Sequence, residues 1–216
     1  MTTANTKRNQ TITEEWFNSL SHGLTALTAV GGFVVLIVLA AFSDKNWALF
    51  SALFYGLSLV ILFAASAFYH GVQHTEIKKK LMVLDHCGIF LLIAGTYTPV
   101  LLMVIGGSFG WTFFGIQWGM ALVGIIFKLF YTGKYEAVSL TMYALMGWVI
   151  VLKINYLYQV LPAGGFWLLV AGGLSYTIGI IFYAIDHRVY LAHFVWHLFV
   201  LGGSLLHYLM MVMYIF

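Results

Sequence analysis

Charge is what this sequence has least of. Ten basic and seven acidic residues make up 8% of its 216 positions, where a soluble domain carries about 25%. Hydrophobic residues account for 62%, and the mean hydropathy is +0.95. So few charges cannot cover a water-facing surface, which excludes a soluble globular protein and points to an integral membrane protein. A single cysteine, Cys87, excludes an intramolecular disulfide, and with it any sign of an oxidising compartment. There is no defensible internal repeat and no low-complexity tract. The net charge of +3 matters less than its distribution, and no nucleic-acid partner is expected.

What the chain has instead is long apolar runs. A spanning helix needs about 20 largely apolar residues. Seven such segments lie between polar or Gly/Pro punctuation, at roughly 20–42, 47–69, 81–105, 111–130, 138–158, 166–185 and 190–214. The short connections favour antiparallel neighbours in one bundle. The expectation is an all-α integral membrane protein, with residues 1–216 forming one seven-helix domain behind a short segment, 1–19. The first apolar stretch is too long for a signal-peptide core and reads as a retained span.

Basic residues set the expected orientation. Lys7 and Arg8 precede the first span, Lys78, Lys79 and Lys80 lie in the second connection, Lys134 with nearby Lys128 in the fourth, and Arg188 in the sixth. The alternate connections are nearly bare: Lys45 is balanced by Asp44, and Lys153 lies just inside a helix end. The N-terminus is therefore expected in the cytoplasm and the C-terminus outside, in the cell membrane.

Against this apolar background four ionisable residues stand out, because such groups are costly in a bilayer and usually functional. His70 ends the second span, Asp85 opens the third, and His193 and His197 occupy the first turns of the seventh. The lysine-derived topology brings all four to one depth near the cytoplasmic face. His193 and His197 are one helical turn apart, so both imidazoles share a face, and Ser66 stands one turn deeper than His70. Neutral imidazole is a common zinc ligand. Three protein ligands with one open position is the arrangement of a catalytic zinc, whereas structural sites are closed by four. His70, His193 and His197 are thus the expected metal ligands. Asp85 fits a general base acting on water, and Ser66 a donor to that water or to a developing oxyanion.

The other histidines read as ordinary interfacial or hydrogen-bonded residues: His22, His74, His86, His187 and His207. Cys87 reads as a core thiol. Pro99 implies a kink in the third span, the Gly-Gly pairs imply close helix packing, and Trp47, Trp111, Trp167 and Tyr190 are interfacial anchors. Glu14 and Glu15 could cap the first span or pair with basic connections; Asn18 and His22 follow, and burial against the bundle is the alternative for both.

Taken together, Glu14-Glu15-x-x-Asn18-Ser19-x-x-His22-Gly23, Ser66-x-x-x-His70, Leu84-Asp85-His86, Gly95-Thr96-Tyr97-Thr98-Pro99 and His193-x-x-x-His197 resemble the hemolysin III family of bacterial membrane proteins. That family is the prokaryotic branch of the progestin and adipoQ receptor superfamily, which includes the adiponectin receptors. The resemblance covers nearly the whole chain. It implies seven helices, a cytoplasmic N-terminus and a zinc held by His70, His193 and His197, with Asp85 and Ser66 near the zinc-bound water. The wider superfamily's alkaline ceramidases suggest lipid amide hydrolysis, by analogy.

Three functions compete. The first is a zinc-dependent intramembrane hydrolase of a lipid amide or ester, whose partner is a membrane lipid or lipid-derived substrate. The second is a receptor, sensor or regulator of membrane homeostasis, in which zinc staples helices together. The third is a pore-forming hemolysin, ranked last because the chain shows retained spans and no amphipathic insertion segment. A transporter would need polar residues through the membrane depth, which are missing. The substrate and the oligomeric state are open at this level.

Overall fold

The structure is a computed structural model that describes residues 8–216; Lys7, counted above in the charge asymmetry, lies outside the described residues. Every regular element among the described residues is helical. Seven helices are long and apolar enough to cross a membrane: α1 (Ile12–Ala41), α2 (Ala48–Gly71), α3 (Thr75–Ile105), α4 (Gly107–Tyr131), α5 (Glu136–Val160), α6 (Ala163–Ile185) and α7 (Ala192–Ile215). Large side chains such as Leu27 and Phe130 are 73% and 74% exposed on the bundle's outside. Lipid is as apolar as they are, so this exposure carries no penalty in a bilayer.

α2 and α3 form the centre. In their most apolar stretches 56% and 61% of residues are buried, against 11% for α1 and α6. The main core joins Leu36 of α1, Tyr55 and Phe63 of α2, Leu92 of α3 and Val200 of α7. A second cluster packs Phe90 and Ala94 against Ala121, Tyr143 and Met146 of α4 and α5. There α3 and α4 touch because Gly124 has no side chain: a Cβ at that position would enter the Phe90 ring.

α1 begins at Ile12, a full two turns before the apolar run does. Thr11 and Glu14 form a capping box: the Thr11 hydroxyl accepts from the Glu14 N–H at 3.3 Å, and the Glu14 carboxylate accepts from the Thr11 N–H at 2.8 Å. The sequence from Glu14 to His22 is therefore helical and packs on the bundle end. Likewise α3 starts at Thr75, so Lys78, Lys79 and Lys80 sit on its first turns rather than in a connection. Lys128 is not part of a solvated basic loop. It is fully buried and pairs with Glu136 at 2.8 Å.

Three helices depart from α winding, α7 only in its last turn at Met211–Ile215. After Pro99, which has no N–H to give, α3 widens into a π-helical turn over Val100–Ile105. α5 tightens into a 3-10 stretch at Val149–Lys153. Tyr97 splints this stretch: its hydroxyl donates to the Gly147 carbonyl at 2.6 Å and accepts from the Ile150 N–H at 2.9 Å.

The ends of the bundle are sorted by contact. Arg8 touches residues 186–189, between α6 and α7, while the Lys45 ammonium before α2 donates to the Ile215 carbonyl at 2.6 Å. The N-terminus therefore shares an end with the α2–α3, α4–α5 and α6–α7 turns, and the C-terminus shares the other with the α1–α2 turn.

Candidate metal centre

Three imidazoles converge at the N-terminal end of the bundle. His70 comes from the last turn of α2, and His193 and His197 come from the first turns of α7. Their ring centroids lie 5.2, 5.0 and 4.8 Å apart, a nearly equilateral triangle. One nitrogen from each falls within 4.8 Å of the others, so the three could hold a metal ion. Nitrogens bound at about 2 Å to one tetrahedral ion stand roughly 3.4 Å apart, a contraction that side-chain rotation can supply.

Carboxylates orient two of the rings. The His70 Nδ1–H donates to Glu15 Oε2 at 2.7 Å, and Glu15 is in turn held by the Lys78 ammonium at 3.0 Å. The His193 Nδ1–H donates to Asp186 Oδ2 at 2.8 Å. Each bond fixes the tautomer that leaves Nε2 as a lone-pair donor, the arrangement that accompanies metal-bound histidine. His70 Nε2 is buried and has no hydrogen-bond partner, and neither has His197 Nδ1. An orphaned buried nitrogen costs about 1–3 kcal/mol, and an ion at this point would relieve it. The residues fit a metal.

The residues expected from sequence are brought together here. Ser66, Asp85, His193 and His197 line one polar cavity of about 440 Å³, and His70 is buried against the two α7 rings. The Ser66 hydroxyl is buried without a partner. Asp85, on α3, has an oxygen 3.9 Å from His86 Nδ1, whose N–H donates to the Met82 carbonyl at 2.7 Å. Beyond Asp85, the wall continues through His86 to Glu136, which accepts from Lys128 and, at 3.2 Å, from the Tyr183 hydroxyl.

Some groups at the centre were not assigned to it from sequence. His22 of α1 is buried, not interfacial: its ring stacks on His197 at 3.6 Å and 11° and meets Phe63 edge-on. Glu15 and Asp186 are the carboxylate partners of two imidazoles. Glu15, Asn18 and His22 recur at helical spacing (i, i+3, i+7) on one face, and that signal was readable had the first helix been started early enough. Asp186 faces His193 across a turn, and no periodicity announces it. His207 is remote, bonded to the Leu169 carbonyl at 3.1 Å.

Deeper in the bundle, Leu62, Ile89, Trp196 and Val200 are shared between the polar cavity and a second, almost wholly apolar one of about 190 Å³, which runs between α3, α5, α6 and α7. Fold and site together define a multi-pass membrane protein of seven helices with a histidine cluster at one end and an apolar chamber behind it. The haemolysin-III related family model matches residues 10–208, and the chain belongs to that family. It is 38% identical to Hemolysin-3 of Bacillus cereus over 215 residues, covering 100% of this chain and 98% of the relative. Hemolysin-3 homolog of Bacillus subtilis is 40% identical over 194 residues, covering 90% and 91%. The human Monocyte to macrophage differentiation factor is 31% identical over 212 residues, covering 95% and 86%, which supports the wider progestin and adipoQ receptor superfamily. The seven spans and these bacterial relatives identify a multi-pass protein of the bacterial cell membrane.

Proposed function

We propose that this protein is a zinc-dependent intramembrane hydrolase of lipid amides or esters, with the N-terminal end of the bundle in the cytoplasm. One observation carries the reading. A polar cavity lined by His193, His197, Asp85 and the unpartnered Ser66 hydroxyl, with His70 packed against both imidazoles, shares its inner wall with an apolar chamber, so a lipid carbonyl can lie beside water while its acyl chain stays dry. Zinc bound by His70, His193 and His197 would supply Lewis acidity and bring the pKa of water down to about 7.

The chain's own residues do the rest. Glu15 and Asp186 hold two imidazoles in the ligating tautomer. Asp85 takes the proton from the water that adds to the lipid carbonyl carbon. The Ser66 hydroxyl donates to the carbonyl oxygen as negative charge builds there. The C–N or C–O bond then breaks, and Asp85 returns its proton to the leaving amine or alkoxide. Leu62, Ile89, Trp196 and Val200 exclude water from the acyl chain.

Purified protein in detergent or liposomes should release fatty acid from a lipid amide or ester pool, and Asp85→Ala should lose this while keeping its zinc. No release across a broad panel of lipid amides and esters, or undiminished release by Asp85→Ala, would count against hydrolysis. A second reading, a membrane regulator with a structural ion, is favoured by the ligand set itself, since His70 and the two α7 histidines would join α2 to α7. In that case Asp85→Ala retains function and His197→Ala lowers thermal stability.

A further inference from the structure

Just before α1 the chain borders the polar cavity, where Arg8 and Gln10 form part of the wall. The Arg8 guanidinium grips both oxygens of Glu14 at 2.6 and 2.7 Å. It also donates to the backbone carbonyls of Asp186 at 3.4 Å and Val189 at 3.3 Å, and the Arg8 N–H donates to the His187 carbonyl at 3.4 Å. Glu14 reaches the same turn, where its Oε1 accepts from the Leu191 N–H at 2.8 Å. Gln10 is tied down as well, accepting from the Asn18 amide at 2.8 Å.

The turn held in this way is not a neutral one. Its first residue, Asp186, orients the imidazole of His193. Its last, Leu191, has a left-handed backbone with φ +60°, and α7 starts directly after it. A non-glycine residue in that region costs roughly 1–2 kcal/mol, so the conformation needs outside support. The Glu14 carboxylate on the Leu191 N–H is that support, and Arg8 holds Glu14 in place. Bidentate, charge-assisted bonds of this kind are the strong ones, and they are also the most directional.

We propose that the Arg8–Glu14 pair is a positioning clip for the ligand His193, fastening the 8–11 segment to the 186–191 turn so that a bound metal ion is retained. The clip rests on the metal reading above and is independent of hydrolysis. Arg8 and Glu14 are not among the metal-holding side chains; they act through the 186–191 turn, by keeping Asp186 and His193 aimed inward.

The test uses the full chain in detergent micelles, loaded with zinc, with zinc content read by elemental analysis and release followed after adding excess EDTA. Melting temperatures are taken with and without zinc. Loss of an outer-shell partner typically weakens metal binding 10–100-fold, so Arg8→Ala should release zinc about tenfold faster than wild type and gain a smaller rise in melting temperature from zinc. Arg8→Lys keeps the charge, loses the fork, folds with little disturbance, and should also release zinc faster. Unchanged release in both variants, or an equal drop in the apo and zinc-loaded melting temperatures with unchanged release, would overturn the clip and leave the metal reading standing. A wild type that holds no zinc would overturn the metal reading and the clip with it.

Discussion

Imidazole offers two nitrogens, and at this centre the two have separate duties. In His70 and His193 the Nδ1–H is spent on a carboxylate, which leaves Nε2 for an ion. His22 cannot join them as a fourth ligand in its present pose. Its ring lies parallel to that of His197 and one ring thickness away, and the group whose ligand atoms lie within 4.8 Å of one another comprises His70, His193 and His197 without it. The stack instead fixes the plane of His197, the one imidazole of the three without a carboxylate partner. Glu15 would act on a bound metal at one remove: Glu15→Gln removes the charge that favours the ligating tautomer of His70. Zinc affinity should fall about tenfold or more, measured by competition with a chromophoric chelator; an unchanged affinity would reduce Glu15 to a partner of Lys78.

At the scale of the helix, the elements that a hydropathy reading places best are the interiors, and those it places worst are the ends. α1 was expected near residue 20 and starts at Ile12, because a capping box and a polar face that packs on the bundle end do not raise hydropathy. The late start separated Glu15 and Asn18 from the site, since residues in a tail have no face, and left His22 without its companions on that face. α3 likewise absorbs the lysines assigned to a connection. α5 looks like an even apolar run, yet it changes winding at Val149–Lys153, and what stabilises that change is Tyr97 from another helix. Tyr97→Phe strips a carbonyl and an N–H of their partner where lipid offers no substitute. A cost of about 1–3 kcal/mol follows, visible as a lower melting temperature and as faster amide exchange confined to residues 147–153. Uniform exchange along α5 in both proteins would deny Tyr97 this role.

For the whole molecule, orientation is the property that decides which compartment feeds the polar cavity. Among the described residues, Arg8, Lys78, Lys79, Lys80, Lys134 and Arg188 gather at the cavity's end of the bundle, while Lys45 and Lys153 are at or toward the other. Basic residues of this kind are retained in the cytoplasm. With Cys87→Ser as background, a cysteine at Lys134 should react with an impermeant maleimide only in inside-out vesicles, and one at Asp44 only in intact cells. The reverse pattern would put the cavity outside.

The sequence by itself determined that the chain spans the membrane seven times, that His70, Asp85, His193 and His197 share a depth, and which family the motifs resemble. These are properties of composition, period and order along the chain, and a bilayer enforces them because every unpaired charge or backbone group in lipid is penalised. Only the tertiary structure decided which nitrogen of His70 and of His193 is free, that Glu15 and Asp186 stand behind the rings, that His22 lies flat on His197, and that Arg8 and Glu14 grip the turn before α7. Most of those are distances between residues tens or hundreds of positions apart, and even the short Asp186–His193 pair depends on a turn held from α1, so they exist only once the helices pack.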